Sequence, residues 1–292
     1  MKSSRSLLNI GMVIFLTIFI IIFYSKQNTS ESIQKLSHLD LEEITHIKIN
    51  RTEDQDILFS KQSDGLWYMT KPYFLKAHQF RIATLLSLTQ APVVKSYDAS
   101  SLDLSQYALD QPLAQVTVNN TEILFGKTNP LSNKRYFLVD NKMTLIDDQI
   151  YPLASAQASS FIDLSLLADK FTITKIQTPA VSILLDNDNN WINAQEEAAQ
   201  EETSQQKLNA DQIQSLLQHW NNAQAFAVHK YLPRKQLGKI EISSQNKSLI
   251  FQITDDDPWL ILALPELNIE YHLDNSLKNS LYGIVKVDQP DA

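Results

Sequence analysis

The stretch DNDNNWINAQEE sets Asp186, Asp188, Asn190 and Glu197 at positions 1, 3, 5 and 12 of a calcium-binding loop, where side-chain oxygens would wrap a hard cation. The sixth position of such a loop needs Gly for its sharp turn, and Trp191 stands there. The flanks alternate as strands do, and Asp and Asn are also what hairpin turns select. A hairpin turn is therefore the expected reading. The run DDDP at Asp255–Pro258 reads in the same way, as an acidic turn between strands before a cation site.

Other chemistry is thinly represented. The six histidines (His38, His46, His78, His219, His229 and His272) include no close pair at metal-ligand spacing. His219 is expected on a helix and His229 on the strand after it, so a zinc site would require distant residues to converge. No two of the five glycines (Gly11, Gly65, Gly126, Gly238 and Gly283) stand close enough for a phosphate-cradling loop or a dinucleotide fingerprint. Neither a Gly-x-Ser-x-Gly elbow nor a His-Glu-x-x-His pair occurs. The absence of cysteine excludes disulfides, thiolate metal sites, Cys nucleophiles and a lipid-modified Cys. A carboxylate pair could hydrolyse a glycosidic bond, but among 33 acidic residues no pair stands out. No catalytic, cofactor-binding or metal-binding residue is assigned. No cofactor is expected, and the chain is expected not to be an enzyme.

The elements that would carry any site begin with an apolar run. LLNIGMVIFLTIFIIIFY, Leu7–Tyr24, holds 18 residues without a charge. As a helix it would span roughly 27 Å, close to the hydrocarbon thickness of a bilayer. Lys2 and Arg5 precede it, which favours a cytoplasmic N-terminus. No small-x-small cleavage site follows in SKQNTSES, so an uncleaved anchor is expected rather than a removed signal peptide. The net charge is −8 with no basic run beyond the N-terminus, so neither nucleic acid nor nucleotide is an expected partner. Hydrophobic residues at 43% and aromatics at 9% are ample for a packed core.

After a polar tether, the two halves of the chain can be laid over one another. ITHIKI at Ile44–Ile49 matches ITKIQT at Ile173–Thr178, and Trp67 matches Trp191. Ile82, Leu85, Leu86 and Thr89 fall on Ile213, Leu216, Leu217 and Trp220, spaced i, i+3, i+4 and i+7 as in the buried stripe of a helix. LAQVTVNN (Leu113–Asn120) matches LGKIEISS (Leu237–Ser244), both with the period-2 alternation of a half-buried strand. ILF at Ile123–Phe125 falls on LIF at Leu249–Phe251, and YFLV at Tyr136–Val139 and LILA at Leu260–Ala263 follow as further strands. Short helices are expected near IYPLASA and NSLKNSLYG. The second copy carries a longer polar loop, Glu196–Gln206. Trp67 and Trp191 are expected on the second arm of a hairpin, packed on the following helix rather than stacked on a ligand.

GLWYMTKP before a helix, YALDQPLAQVTV at Tyr107–Val118, LFGKTNP at Leu124–Pro130 and RYFLVDNKMTLID beyond it together resemble the bacterial family of domain of unknown function 4340. The resemblance covers most of Ile44–Leu167 and, more weakly, the second half. Where the family often has Gly, this chain has Ala108, a departure affecting one turn. The resemblance implies an exported, inner-membrane-anchored β-rich protein, some of whose relatives accompany export-type ABC transporters and gliding-motility-like components. It brings no catalytic motif. Gly126 is expected to permit a bulge or turn between strands.

The expected fold is α+β: a single N-terminal transmembrane helix, then a tandemly duplicated, mainly antiparallel β-rich module with one main helix per repeat. The expected boundaries are 1–6 for a cytoplasmic tail, 7–24 for the anchor, 25–43 for the tether, and 44–168 and 169–292 for the repeats. The expected function is that of a non-catalytic accessory or assembly protein of an envelope or transporter complex. It would sit in the bacterial inner membrane with its body in the periplasm, beside a protein partner. The alternatives are a periplasmic module binding a glycan, lipid or peptide between the copies, and an envelope hydrolase. An exposed aromatic row involving Trp259 and Tyr271 would favour the binding module.

Overall fold

The structure, a computed structural model, describes residues 12, 14–20, 34–51, 55–194 and 206–284. Of the expected membrane segment Leu7–Tyr24, residues 12 and 14–20 are described, and they are helical. Their apolar side chains are exposed, from 48% at Ile20 to 70% at Phe15. No helix of the described residues is long and apolar enough to cross a membrane. The tail 1–6, residues 25–33 of the tether and nearly all of the Glu196–Gln206 loop lie outside the described residues.

The chain is built mainly of antiparallel sheet with few helices, an α+β fold. The first half runs β1 (Gln34–Lys35), β2 (His46–Asn50), β3 (Ile57–Lys61), β4 (Trp67–Lys71), β5 (Leu75–Lys76), α1 (Gln79–Ser87), β6 (Pro92–Val93) and β7 (Ser96–Asp98). It continues through β8 (Ala114–Val118), β9 (Thr121–Thr128), β10 (Arg135–Val139), β11 (Lys142–Ile146) and a short α2 (Tyr151–Ala154). The second half runs β12 (Lys175–Gln177), β13 (Ser182–Leu185), β14 (Trp191–Asn193), α3 (Ala210–Asn222) and β15 (Ala227–Lys230). Then follow β16 (Gly238–Ser243), β17 (Ser248–Asp255), β18 (Trp259–Leu264), β19 (Ile269–Asp274) and α4 (Leu277–Tyr282).

The strand orders are β5-β4-β3-β2-β8-β9-β10-β11-β7 in a nine-stranded sheet and β14-β13-β12-β16-β17-β18-β19-β15 in an eight-stranded one. With β2–β4 set on β12–β14, β7 on β15 and β8–β11 on β16–β19, the two orders are the same, and β5 alone has no counterpart. Both halves place their main helix between the third hairpin strand and the strand that crosses to the far edge. Both sheets also shift register at the same pairing: β9 carries an extra residue against β10, and β17 carries one against β18. Gln34–Lys35, within the expected tether, instead pair with Val93 and Pro92, and Leu36 and Ser37 are buried beside them.

By packing, the described residues fall into two compact units that do not follow the sequence halves. The first takes in the described residues up to Leu39, then Ser87–Leu113 and Leu124–Asp148. The second takes in Asp40–Leu86, Ala114–Ile123 and the described residues from Gln149. In the first unit, Phe125 and Phe137 meet edge to face at 4.8 Å, a favourable aromatic arrangement. Arg135 is buried and forms an ion pair with Asp148 at 2.5 Å, and it donates to the Gly126 carbonyl at 2.6 Å. A Cβ on Gly126 would lie 2.4 Å from the Tyr107 carbonyl oxygen, so the close approach of two backbones requires glycine here. The register shift between β9 and β10 also falls at this position, which agrees with the expected bulge. Ala108, beside it, is left-handed at φ 55°, the conformation that favours Gly.

In the second unit the two amphipathic helices bury the residues their spacing marks. Ile82, Leu85 and Leu86 of α1 are buried, as are Ile213, Leu216 and Trp220 of α3, while Leu217 is half-buried. Asn209 caps α3 by accepting from the Gln212 amide, and the Gln212 side chain accepts from the Asn209 amide, forming a capping box. Trp220 is fully buried, packs near Phe251 at 5.8 Å, and donates its indole N–H to the Leu281 carbonyl. Trp67 and Trp191 both open the second arm of a hairpin. Trp67 is buried, with its backbone held by the Gln79 side chain at the start of α1, whereas Trp191 is half-buried.

Candidate functional site

The second unit contains a cavity of about 1010 Å³. It is lined by Arg51, Ile57 and Tyr73 from the first half of the chain and by Ser155–Ser159 after α2. Gln55 and Pro72, residues of β15 and the segment after it, Glu266–Asn268 before β19, and β19 itself complete it. The strand pattern IEYHLD explains the last contribution. Successive side chains of a strand alternate faces, so Ile269, Tyr271 and Leu273 enter the core, with Tyr271 6.4 Å from Phe251. Glu270 and His272 therefore take the other face. Antiparallel pairing sets His229 of β15 opposite Glu270 and Ala227 opposite His272.

Glu270 is 1% exposed and is the hub of the site. Arg234 grips it with two nitrogens, Nη1 to Oε2 at 2.9 Å and Nη2 to Oε1 at 3.0 Å. The Leu232 amide donates to Oε2 at 3.1 Å, and His272 Nε2 lies 2.9 Å from Oε1. Burial by itself would raise the Glu270 pKa, but the hydrogen bonds from Arg234, His272 and Leu232 outweigh it and hold the carboxyl below the usual range. A carboxylate so engaged, with both oxygens taken, is a poor proton acceptor for a substrate. Its physical effect is to pin the segment after β15 and fix one guanidinium in place.

The rings of His229 and His272 lie 4.5 Å apart. Partial burial and then the neighbouring His272 lower the His229 pKa, against the opposing pull of Glu270. Two histidines 43 positions apart are thus brought together by β15–β19 pairing, a convergence their spacing does not reveal. Among the described residues, no group of three or more His, Asp or Glu could hold a metal ion. His46, His78 and His219 lie elsewhere; His219 Nδ1 faces Ser215 Oγ at 3.5 Å and His46 Nδ1 faces Thr45 Oγ1 at 2.8 Å.

The other residues marked by the sequence resolve into turns and core. Asp186 Oδ1 accepts from the amides of Asp188 and Asn190, and Asn189 is left-handed, so this carboxylate closes the β13–β14 hairpin. Glu197 lies outside the described residues. Asp255 Oδ1 accepts from the amides of Asp256 and Asp257, and Asp256 pairs with Lys278 at 2.5 Å. The exposed row of Trp259 and Tyr271 that would favour a binding module is not present, because strand alternation sends Tyr271 into the core. Trp259, 46% exposed, instead meets Phe226, 53% exposed, edge to face at 5.0 Å. Phe226 in turn lies 6.3 Å from His272, so an aromatic stripe runs toward the cavity.

The family model described as domain of unknown function (DUF4340) matches residues 67–237, more than half of the chain. The chain belongs to the DUF4340 family. Within the match lie Tyr73, Ser155–Ser159 and the His229–Arg234 segment, while Arg51, Glu270 and His272 fall outside it. The match reaches farther into the second half and starts later in the first than the motifs at Ile44–Leu167 suggest. Neither a curated protein nor a solved structure matches the chain.

Proposed function

We propose that this DUF4340 protein is a non-catalytic, membrane-anchored accessory or assembly protein of a cell-envelope or transporter complex, with its body in the periplasm. The observation that carries this reading is the apolar helix at residues 12 and 14–20, whose large side chains are about half or more exposed. A stretch of Met, Ile, Phe and Leu exposed in this way finds its favourable surroundings in lipid, where burial of each side chain contributes on the order of 1.5–3 kcal/mol. The flanking Lys2 and Arg5 favour a cytoplasmic start, so the acidic body lies across the membrane. Glu270, the buried carboxylate of the cavity, has both oxygens engaged by Arg234 and His272, which suits it to hold structure rather than to take a proton.

The body is a tandem duplication, with repeats at 44–168 and 169–292. Support comes from the shared strand order, the common position of the register shift and the matching helix placements. An anchored body of this kind acts by remaining at high local concentration beside a partner. The test is cross-linking in cells with a photo-reactive group on the body, combined with a C-terminal phosphatase fusion. Capture of a defined inner-membrane protein and an active fusion are expected. An inactive phosphatase, or loss of the protein from membranes on carbonate washing, would overturn the reading.

A further inference from the structure

We propose that the cavity of the second unit binds a ligand through a carboxylate or phosphate group. Its volume of about 1010 Å³ lies at the upper end of the range of small-molecule sites, roughly 300–1,000 Å³. The chain is acidic overall, at −8, yet the cavity gathers Arg51, Lys230 and Arg234 against Glu266 and Glu270. Glu270 is buried and already engaged, so its charge is neutralised by Arg234. What faces an incoming group, among the described residues, is then Lys230, with His229 exposed beside it, and the N–H groups that Arg234 does not give to Glu270.

The site is also built before a ligand arrives. A guanidinium has five N–H donors, and Arg234 gives two of its nitrogens to Glu270. The pairing fixes its plane, so little side-chain freedom is lost when the remaining donors meet an oxyanion. Arg51 is held likewise, its Nη2 donating to the Ala156 carbonyl. Lys230 makes no ion pair among the described residues, which leaves it a flexible point charge for the same group. The planar fork of Arg234 and the point charge of Lys230 together match the oxygens of a carboxylate or phosphate. Tyr73, Ser155 and Gln157 offer neutral donors and acceptors for the rest of the molecule.

The test uses the full chain in an uncharged detergent and calorimetric titration with three probes: inorganic phosphate, glucuronate and glucose. Phosphate and glucuronate should bind saturably while glucose should not, because the last two differ only at the carboxylate. Lys230→Glu should weaken both anions at least tenfold. Lys142→Glu, which alters an exposed cation of the first unit, should leave them unchanged. His229→Gln serves as a second variant if Lys230→Glu does not fold, and should weaken the anions at pH values where His229 is charged. Glucose binding as tightly as glucuronate would overturn the proposal. So would unchanged anion affinity in both cavity variants, or no saturable heat with either anion up to about 10 mM.

Discussion

Gly126→Ala isolates one close backbone approach in the first unit. The added methyl would lie 2.4 Å from the Tyr107 carbonyl oxygen and 3.0 Å from Leu109 Cδ2. Carbon and carbonyl oxygen settle at about 3.3–3.6 Å, so one backbone must retreat by about 1 Å. Neither is free to do so. Tyr107 closes a 3-10 turn whose next amides, from Ala108 and Leu109, return to Ser105 and Leu104. Gly126 offers its carbonyl to the buried Arg135 at 2.6 Å, a bond that a shift would stretch. Overpacking of this kind costs about 1–3 kcal/mol, and weakening a hydrogen bond to a buried charge adds about 1 kcal/mol. The expected loss is about 2–4 kcal/mol, a fall in melting temperature of roughly 4–16 °C at about 2–4 °C per kcal/mol. Thermal unfolding of the full chain in detergent, followed by circular dichroism, measures it. A melting temperature within about 1 °C of the parent would refute the reasoning.

Ala108→Gly should act in the opposite direction, because the left-handed φ of 55° strains a Cβ; a gain of about 0.5–1 kcal/mol is expected in urea unfolding. Trp220→Ala should cost about 3–5 kcal/mol, as for other fully buried aromatics, and the half-buried Trp191→Ala distinctly less; the two urea midpoints compare them. His229 has a folded pKa below its unfolded value, so above the unfolded value, about 6.5, it contributes nothing to the pH dependence. As pH falls below that value, the unfolded chain takes up a proton that the folded chain resists, and stability drops. His229→Gln should flatten this part of the profile, leaving the similar contribution of His78, when unfolding midpoints are compared between about pH 7.5 and about pH 5.

The elements were largely written in local pattern. The i, i+3, i+4, i+7 stripe of Ile213, Leu216, Leu217 and Trp220 specifies one face of α3 whatever packs on it, and the Asp and Asn of DNDNN specify a hairpin. Alternation in IEYHLD likewise places Glu270 and His272 on one face and Tyr271 on the other, a reading that would have corrected the aromatic row. Even the bulge at Gly126 leaves a trace, because close approach of two backbones selects residue type, whereas the left-handed turn at Ala108 does not, since alanine stands where that φ favours glycine. The site does not. Nothing in the residues near Arg234 says that its guanidinium will lie on a carboxylate 36 positions away, or that His229 and His272 will meet. Those contacts exist because β15 crosses to the far edge of its sheet and pairs with β19, and the choice of edge is made by the sum of core burial across all eight strands. Local sequence fixes dihedral preference and which face is apolar; only the assembled sheet decides which polar faces share a cavity.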